Sequence, residues 1–236
     1  MRAFQAILEL HEHTYFASRE VGILFQTEPV VGNYALGLCS APYGFRRGDP
    51  WDGSVRYRED LAPLNGRGIY VTPATFDPST LRFSVGQFNA QSDAYYSRFG
   101  QNSIVVQRDL ARDPATNIPQ SGRLRLLGLG SRATFHLLAK DDVPRFPSYV
   151  RLGKFNSKAR LSWSEVAVRS ERRDSITVTG YLNPADLPDP DDLIAFDVLA
   201  IPPVPLIRNV VLGGDVLALS DGVVLPAGMR FGVEQL

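Results

Sequence analysis

One cysteine, Cys39, stands in 236 residues, so no disulfide can form within the chain. That scarcity fits a reducing compartment, and a cytoplasmic location is expected. Long apolar runs are missing as well. The best candidate, Leu193 to Ile207, is cut by Asp197, Pro202, Pro203 and Pro205, which excludes a membrane-spanning helix of about 18 residues or more. The opening MRAFQAILEL carries Glu9 where a secretory signal needs an apolar core, so no signal peptide is expected. Only three histidines are present. They show no spacing with cysteine or acids that would make a metal site, so no cofactor is expected. No P-loop and no GxSxG occur, which removes two common routes to nucleotide and ester hydrolysis.

Net charge is absent too, with 25 bases against 25 acids, but the balance hides an asymmetry. Residues 1–170 hold 21 bases and 15 acids; residues 171–236 hold 4 bases and 10 acids. A basic body with an acidic end can meet a polyanion with one part and a basic neighbour with the other.

What is present is turn-forming and apolar. Seventeen prolines and 20 glycines predict many turns and few long helices, and 44% hydrophobic residues allow a sizeable core. Arg2 to Leu10 alternates and predicts a strand. Thr27-Glu-Pro reads as a helix start, with Thr27 capping and Pro29 in the first turn. Val30 or Val31, Tyr34, Ala35 and Leu38 follow at helical spacing, and the helix ends by Pro42. Pro42 to Gly66 reads as a long surface loop carrying Arg46, Arg47, Arg56 and Arg58. Short apolar runs then recur between Gly, Pro, Asn and Asp, and predict strands. The class expected is α+β, mostly antiparallel sheet with one or two helices, as a single domain over 1–236. NPADLPDPDD, residues 183–192, is a surface loop or a boundary between subdomains.

The stretch Val143 to Ser164 concentrates the charge. Arg145, Arg151, Lys154, Lys158 and Arg160 lie there with no acid, interleaved with Phe146, Tyr149, Phe155 and Trp163. Val150 and Leu152 alternate with Tyr149 and Arg151. Ala159, Leu161 and Trp163 alternate with Lys158, Arg160 and Ser162. Two strands follow, joined by a loop from Gly153 to Ser157, each with one apolar and one basic face. Cations beside aromatics suit a nucleic-acid backbone and its bases; the plainer reading is a solvated face beside core aromatics.

Other candidates are thinner. His11 and His13, two apart on a strand, share a face and offer a general base or a metal pair, though structural or surface roles are favoured. Leu127-Gly-Leu-Gly-Ser-Arg132 departs from GxGxxG at Ala133. Its amides suit a phosphate, but a bulge or hairpin kink is the favoured reading. Asp189, Asp191 and Asp192 read as a solvated turn, and Cys39 as a small buried residue.

Several motifs together resemble a known family. Phe16-Ala-Ser-Arg-Glu-Val-Gly22, Thr27-Glu-Pro, Asn33-Tyr-Ala-Leu36, Tyr70-Val-Thr-Pro-Ala74 and Leu152-Gly-Lys-Phe-Asn-Ser-Lys-Ala-Arg160 are similar to the Csc-type Cas-five subunit of type I-D CRISPR effector complexes. Asn156 stands where that family often has Met. The resemblance implies a RAMP protein with a ferredoxin-like, RRM-related core, additional antiparallel β structure and long loops. It implies a non-catalytic, RNA-binding subunit that caps the complex backbone and holds the five-prime handle of the guide crRNA. Its partners would be crRNA, target DNA near the PAM, and the backbone and large subunits, with no membrane. The site expected on this basis is Tyr149, Arg151, Lys154, Phe155, Ser157, Lys158 and Arg160. Charge and loop length, rather than the resemblance, make Arg46, Arg47, Arg56 and Arg58 further candidate nucleic-acid contacts. The alternative is a metal-independent endoribonuclease that processes precursor crRNA, as in a type I-C relative, with His11 or His13 as base. A purely structural scaffold is a third reading.

Overall fold

The computed structural model describes residues 1–22, 24–40, 57–90, 96–99, 102–105, 120–140 and 146–233. The chain begins with β1 (Arg2–Leu10), β2 (Arg19–Val21), β3 (Leu24–Gln26) and β4 (Val30–Val31), then α1 (Asn33–Ser40) and α2 (Tyr57–Gly66). β5 (Ile69–Val71), β6 (Ala74–Phe76), β7 (Phe83–Ala90), β8 (Tyr96–Phe99), β9 (Asn102–Val105) and β10 (Gln120–Leu127) follow. The rest is β11 (Arg132–Ala139), β12 (Tyr149–Leu152), β13 (Ser157–Val166), β14 (Val168–Leu182), β15 (Leu193–Leu199), β16 (Leu206–Leu219) and β17 (Val224–Pro226). The architecture is therefore mostly antiparallel β, with two α-helices among the described residues.

The main sheet runs β12-β13-β1-β11-β6-β4, with β5 also on β11, and β1 is its central strand. Its pairings are antiparallel. Alternation puts Ala6, Leu8 and Leu10 into the core and leaves Ile7 outside. Ala6 lies opposite both Phe135 and Trp163. Its small side chain lets those rings meet edge to face at 5.5 Å. Trp163 also stacks on Phe146 at 4.5 Å and donates its indole N–H to the Pro147 carbonyl at 3.0 Å. A second sheet runs β2-β3-β10-β7, and a third runs β14-β16-β15 with β17 also on β16. One apolar cluster includes residues of the main sheet, both helices and the third sheet.

The helices depart from the sequence reading. Thr27 caps nothing: it is buried, accepts from the Phe16 amide and donates to the Phe16 carbonyl. Val30 and Val31 pair with Thr75 and Ala74 as strand β4, so tertiary pairing overrides the local start signal and the helix begins at Asn33. The segment read as a loop up to Gly66 contains α2. Leu61 and Leu64 turn inward three residues apart, and Glu59 and Asp60 suit its first turn, while Pro63 inside it argued against a helix. α1 and α2 meet at Gly37, where a Cβ would stand 2.9 Å from Leu61 Cδ2 and 3.0 Å from the Phe231 ring. No helix among the described residues is long and apolar enough to cross a membrane.

Residues 183–192 fold into two 3-10 turns, each opened by Asn or Asp before Pro: Asn183 accepts from Ala185 N, and Asp189 from Asp191 N. Asp186, in the first turn, is 1% exposed. Its Oδ1 accepts from Tyr34 Oη (3.1 Å) and Gly232 N (2.7 Å); its Oδ2 accepts from Asn33 Nδ2 (2.5 Å) and Tyr70 Oη (2.9 Å). One carboxylate thus joins the start of α1, β5 and the C-terminal tail. A second acid, Asp221, clips the turn after β16 to the main sheet, 2.7 Å from both His136 Nε2 and Gln5 Nε2. Burial pushes Asp221 up, but its bonds with His136, Val223 N and Gln5 bring it below its ordinary value.

Burial raises Asp186 from its ordinary 3.8 to about 6, against the pull of its four donors. An acid held higher in the folded state binds its proton more tightly there. The stability it contributes is complete below pH 4 or so and is lost as pH rises through about 6. Two units of pKa correspond to roughly 3 kcal/mol. Denaturant unfolding across pH 4 to 7 should show wild type losing stability over that window relative to Asp186→Asn. The variant should start below wild type at pH 4, because the two donors to one carboxylate oxygen then face an amide NH2, and the gap should narrow as pH rises through about 6. Equal slopes would show that the carboxylate is not titrating in the fold.

Candidate nucleic-acid interface

β12 and β13 form the hairpin read from the sequence, with Tyr149 opposite Arg160 and Arg151 opposite Lys158. Val150, Leu152, Ala159 and Leu161 are buried. The loop needs two left-handed residues, Gly153 (φ 68) and Asn156 (φ 51). At Gly153 a side chain is excluded, because a Cβ would stand 2.5 Å from the Tyr15 carbonyl oxygen. Asn is the residue that tolerates this conformation best after Gly.

The loop is docked on the segment after β1. Lys154 N donates to Tyr15 O at 2.8 Å, Phe155 lies 5.3 Å from Tyr15, and Ser157 Oγ donates to His13 O at 2.7 Å. Ser157 is buried, so its hydroxyl anchors the hairpin. The aromatics divide cleanly. Phe146 and Trp163 belong to the core packing, while Tyr149 and Phe155 are 51% and 53% exposed.

The basic row is shared with acids from the other end of the chain. Glu9 lies opposite both Arg132 and Arg160, and its Oε2 accepts from Arg132 Nε at 3.2 Å and Arg160 Nη2 at 3.1 Å. Burial pushes Glu9 up, but the two arginines outweigh it and hold it below its ordinary value. Glu12 Oε2 accepts from Arg151 Nη1 at 3.4 Å and from the Lys158 amide at 2.8 Å. Arg151 also donates to Asn156 O at 3.1 Å. Lys158 Nζ sits 4.3 Å from the Tyr149 ring centroid. Lys154 is exposed. Five bases therefore meet two carboxylates. The sequence stretch itself shows no acid, because Glu9 lies 151 positions before Arg160 and Glu12 lies 146 before Lys158; both reach the row through the pairing of distant strands.

Three features singled out separately in the sequence meet at the C-terminal end of β1. The hairpin docks on His13 and Tyr15. The glycine segment docks on Leu10: Gly130 N donates to Leu10 O at 2.8 Å, and Leu10 N to Ser131 O at 3.0 Å. Gly128 N donates to Arg82 O at 2.7 Å. Those two glycine amides are thus engaged within the protein, and the segment is the β10–β11 connector, as the kink reading expected. β1 stops at Leu10, so His11 and His13 do not share a strand face. His11 Nε2 lies 3.8 Å from Glu9 Oε1, and its ring is 6.0 Å from that of Tyr149. No cluster of three or more metal-ligating side chains occurs among the described residues. Arg58 is exposed in the first turn of α2; Arg46, Arg47 and Arg56 lie outside the described residues. Arg132 was visible only as part of the glycine segment. Cross-strand register, which no local pattern gives, brings it to Glu9.

Comparison with curated proteins returned no match. Among solved structures, the chain is similar to one in "Cryo-EM structure of the Type III-B Cmr-beta bound to cognate target RNA and AMPPnP, state 1". The identity is 11%, the coverage 89% of this chain and 86% of that one, and the TM-score 0.46, too loose a likeness to assign a fold. A family model described as "Type I-D CRISPR-associated protein Cas5/Csc1" matches residues 1–234, and the chain belongs to that family.

Proposed function

We propose that the chain is a non-catalytic RNA-binding subunit of a type I-D CRISPR effector complex, holding the five-prime handle of the guide crRNA on the β12–β13 hairpin. The observation that carries this is the row Arg151, Lys154, Lys158 and Arg160 beside exposed Tyr149 and Phe155, on a hairpin whose other face is buried, with Arg132 joining it from β11 across β1. Phosphates take the cations, and bases stack on the rings. Fold topology adds support. β13-β1-β11-β5 is the fourth-first-third-second order of a ferredoxin-like sheet, with α1 and α2 in the first crossover. A helix in the second crossover has no counterpart among the described residues. The same reading places the chain at the end of the backbone, against backbone and large subunits. Arg58, with Arg46, Arg47 and Arg56, would then stand near target DNA at the PAM.

Two outcomes follow for the row. Changing Lys154, Lys158 and Arg160 to Ala removes exposed charge and leaves the buried face intact. For single-stranded RNA, each phosphate no longer neutralised lowers the slope of log affinity against log salt by about 0.7, so the slope for the triple variant should fall by roughly 2. Changing Glu171 and Asp174 on β14 should leave affinity and slope unchanged. Circular dichroism checks folding, and a triple variant with wild-type affinity and slope makes the row an ordinary solvated face. Glu9→Gln works in the opposite direction. Glu9 competes with phosphate for Arg132 and Arg160, so its neutralisation should tighten RNA binding roughly two- to fivefold at low salt. Weaker binding would mean that Glu9 orients those arginines rather than competing for them.

A ribonuclease reading needs a base and an acid at the 2′-hydroxyl. His11, beside Tyr149, is the group that would serve. Incubation of the chain with repeat RNA, with and without divalent metal, should give no cleavage. Cleavage abolished by His11→Ala or His13→Ala would establish the enzyme instead.

A further inference from the structure

We propose that the open face of the second sheet is a platform for single-stranded RNA, a second surface that lengthens the footprint of the hairpin. It rests on the reading above for the identity of the polyanion and on separate residues for everything else.

Paired residues of neighbouring strands share a face. The registers Arg19↔Gln26↔Arg125↔Val85 and Val21↔Leu24↔Arg123↔Gln87 therefore line up two rows on one side of β2, β3, β10 and β7. Phe83, opposite Leu127, extends that side. Arg19, Val21, Phe83, Val85, Gln87 and Arg123 are exposed. The Arg125 guanidinium lies 4.6 Å from the Phe83 ring centroid and donates to the Thr27 carbonyl at 3.4 Å. Its Nε is buried with no hydrogen-bond partner among the described residues.

Charge complementarity selects the occupant. Among the described residues the acid beside this face is Glu28, 3.5 Å from Arg19 Nε and 4.0 Å from Arg125 Nη2. Arg123 has no ion pair among the described residues. Among the described residues, three arginines to one carboxylate leave an excess of positive charge on a face otherwise made of apolar and uncharged polar side chains. Arg123 and Arg125, two residues apart on one strand, are separated by about 7 Å, comparable to the step between successive phosphates of an extended strand. Phe83 and Val85 offer apolar area to bases between them.

Continuity with the hairpin runs through a short series of hydrogen bonds. Phe83 follows Arg82, whose N donates to Ser131 Oγ at 3.0 Å and whose O accepts from Gly128 N. That same glycine segment is bonded to Leu10 at the end of β1. The platform and the hairpin therefore flank one connector.

The test uses the full chain and oligouridylate, with affinity measured across a salt series and photocrosslinks mapped to peptides. Arg19→Ala with Arg123→Ala touches exposed side chains, and thermal unfolding confirms the fold. Expected are about tenfold weaker binding, a slope lower by about 1.4, and wild-type crosslinks on the peptide holding Phe83. Wild-type affinity and slope in that variant, with no crosslink at Phe83, overturn the platform. If the hairpin triple variant still binds more weakly, the proposed function stands without it. Full binding in both variants sinks both readings. Unchanged RNA binding together with failed assembly into the effector complex makes this face a protein surface and likewise overturns the proposal.

Discussion

β1 lies between two antiparallel neighbours, and its two-residue period assigns each of its side chains to the core or to the charged side. A one-residue slip would exchange the two sets, so burial of Ala6, Leu8 and Leu10 fixes the register. Each buried leucine is worth about 2 kcal/mol. Fixing that side fixes the other as well: Gln5 reaches Asp221, and Glu9 falls between Arg132 and Arg160. The row at Ala6 also determines where the hairpin begins. Trp163, admitted by the small side chain opposite it, holds Phe146 by stacking and Pro147 by a hydrogen bond. β12 starts at Tyr149, two residues later.

On the proposed function, the basic row must also be stable when no polyanion is bound. Arg132 and Arg160 occupy strands on either side of β1, and Glu9 separates them. Exposed ion pairs of this kind contribute little, about 0–1 kcal/mol each. Weak pairs keep like charges compatible with the fold and yield readily to phosphates, which bring more charge and more acceptor oxygens. Glu12 does the same for Arg151 while holding the Lys158 amide. The acids here are better read as exchangeable partners than as stabilising bridges.

Local patterns were legible in the sequence and distant pairings were not. Alternation around Val150, Leu152, Ala159 and Leu161, with Gly153 between, marked the hairpin and its faces. The exposed pair Tyr149 and Phe155 could not be told from the core pair Phe146 and Trp163 by periodicity, because burial of an aromatic depends on its neighbour across the sheet. Thr27-Glu-Pro carries a good helix-start signal, yet Val30 and Val31 gain more by pairing with β6. Pro63 hid α2, whose Leu61 and Leu64 fill the gap beside Gly37. Asp186, among prolines and other acids, has the composition of a solvated turn. Its burial follows from four donors that come from three other parts of the chain.

Asp186 and Asp221 also change what the charge asymmetry means. The acidic excess of residues 171–236 suggests a surface for a basic partner, but much of it is engaged inside the chain. Asp186 and Asp221 tie the third sheet and the tail to the main sheet. Glu171 pairs with Arg173, Asp215 with Arg172, and Asp197 accepts from Asn209. What faces water without a cationic partner among the described residues is Asp174 on β14, Asp197 on β15, bonded only to Asn209, and Asp189 and Asp191 at the second 3-10 turn. Positive charge behaves differently, because Lys154 and Arg123 keep exposed side chains with no acid against them among the described residues. A chain of zero net charge thus presents a positive field at the end of β1 and on the second sheet, since its negative charges are used largely for its own assembly.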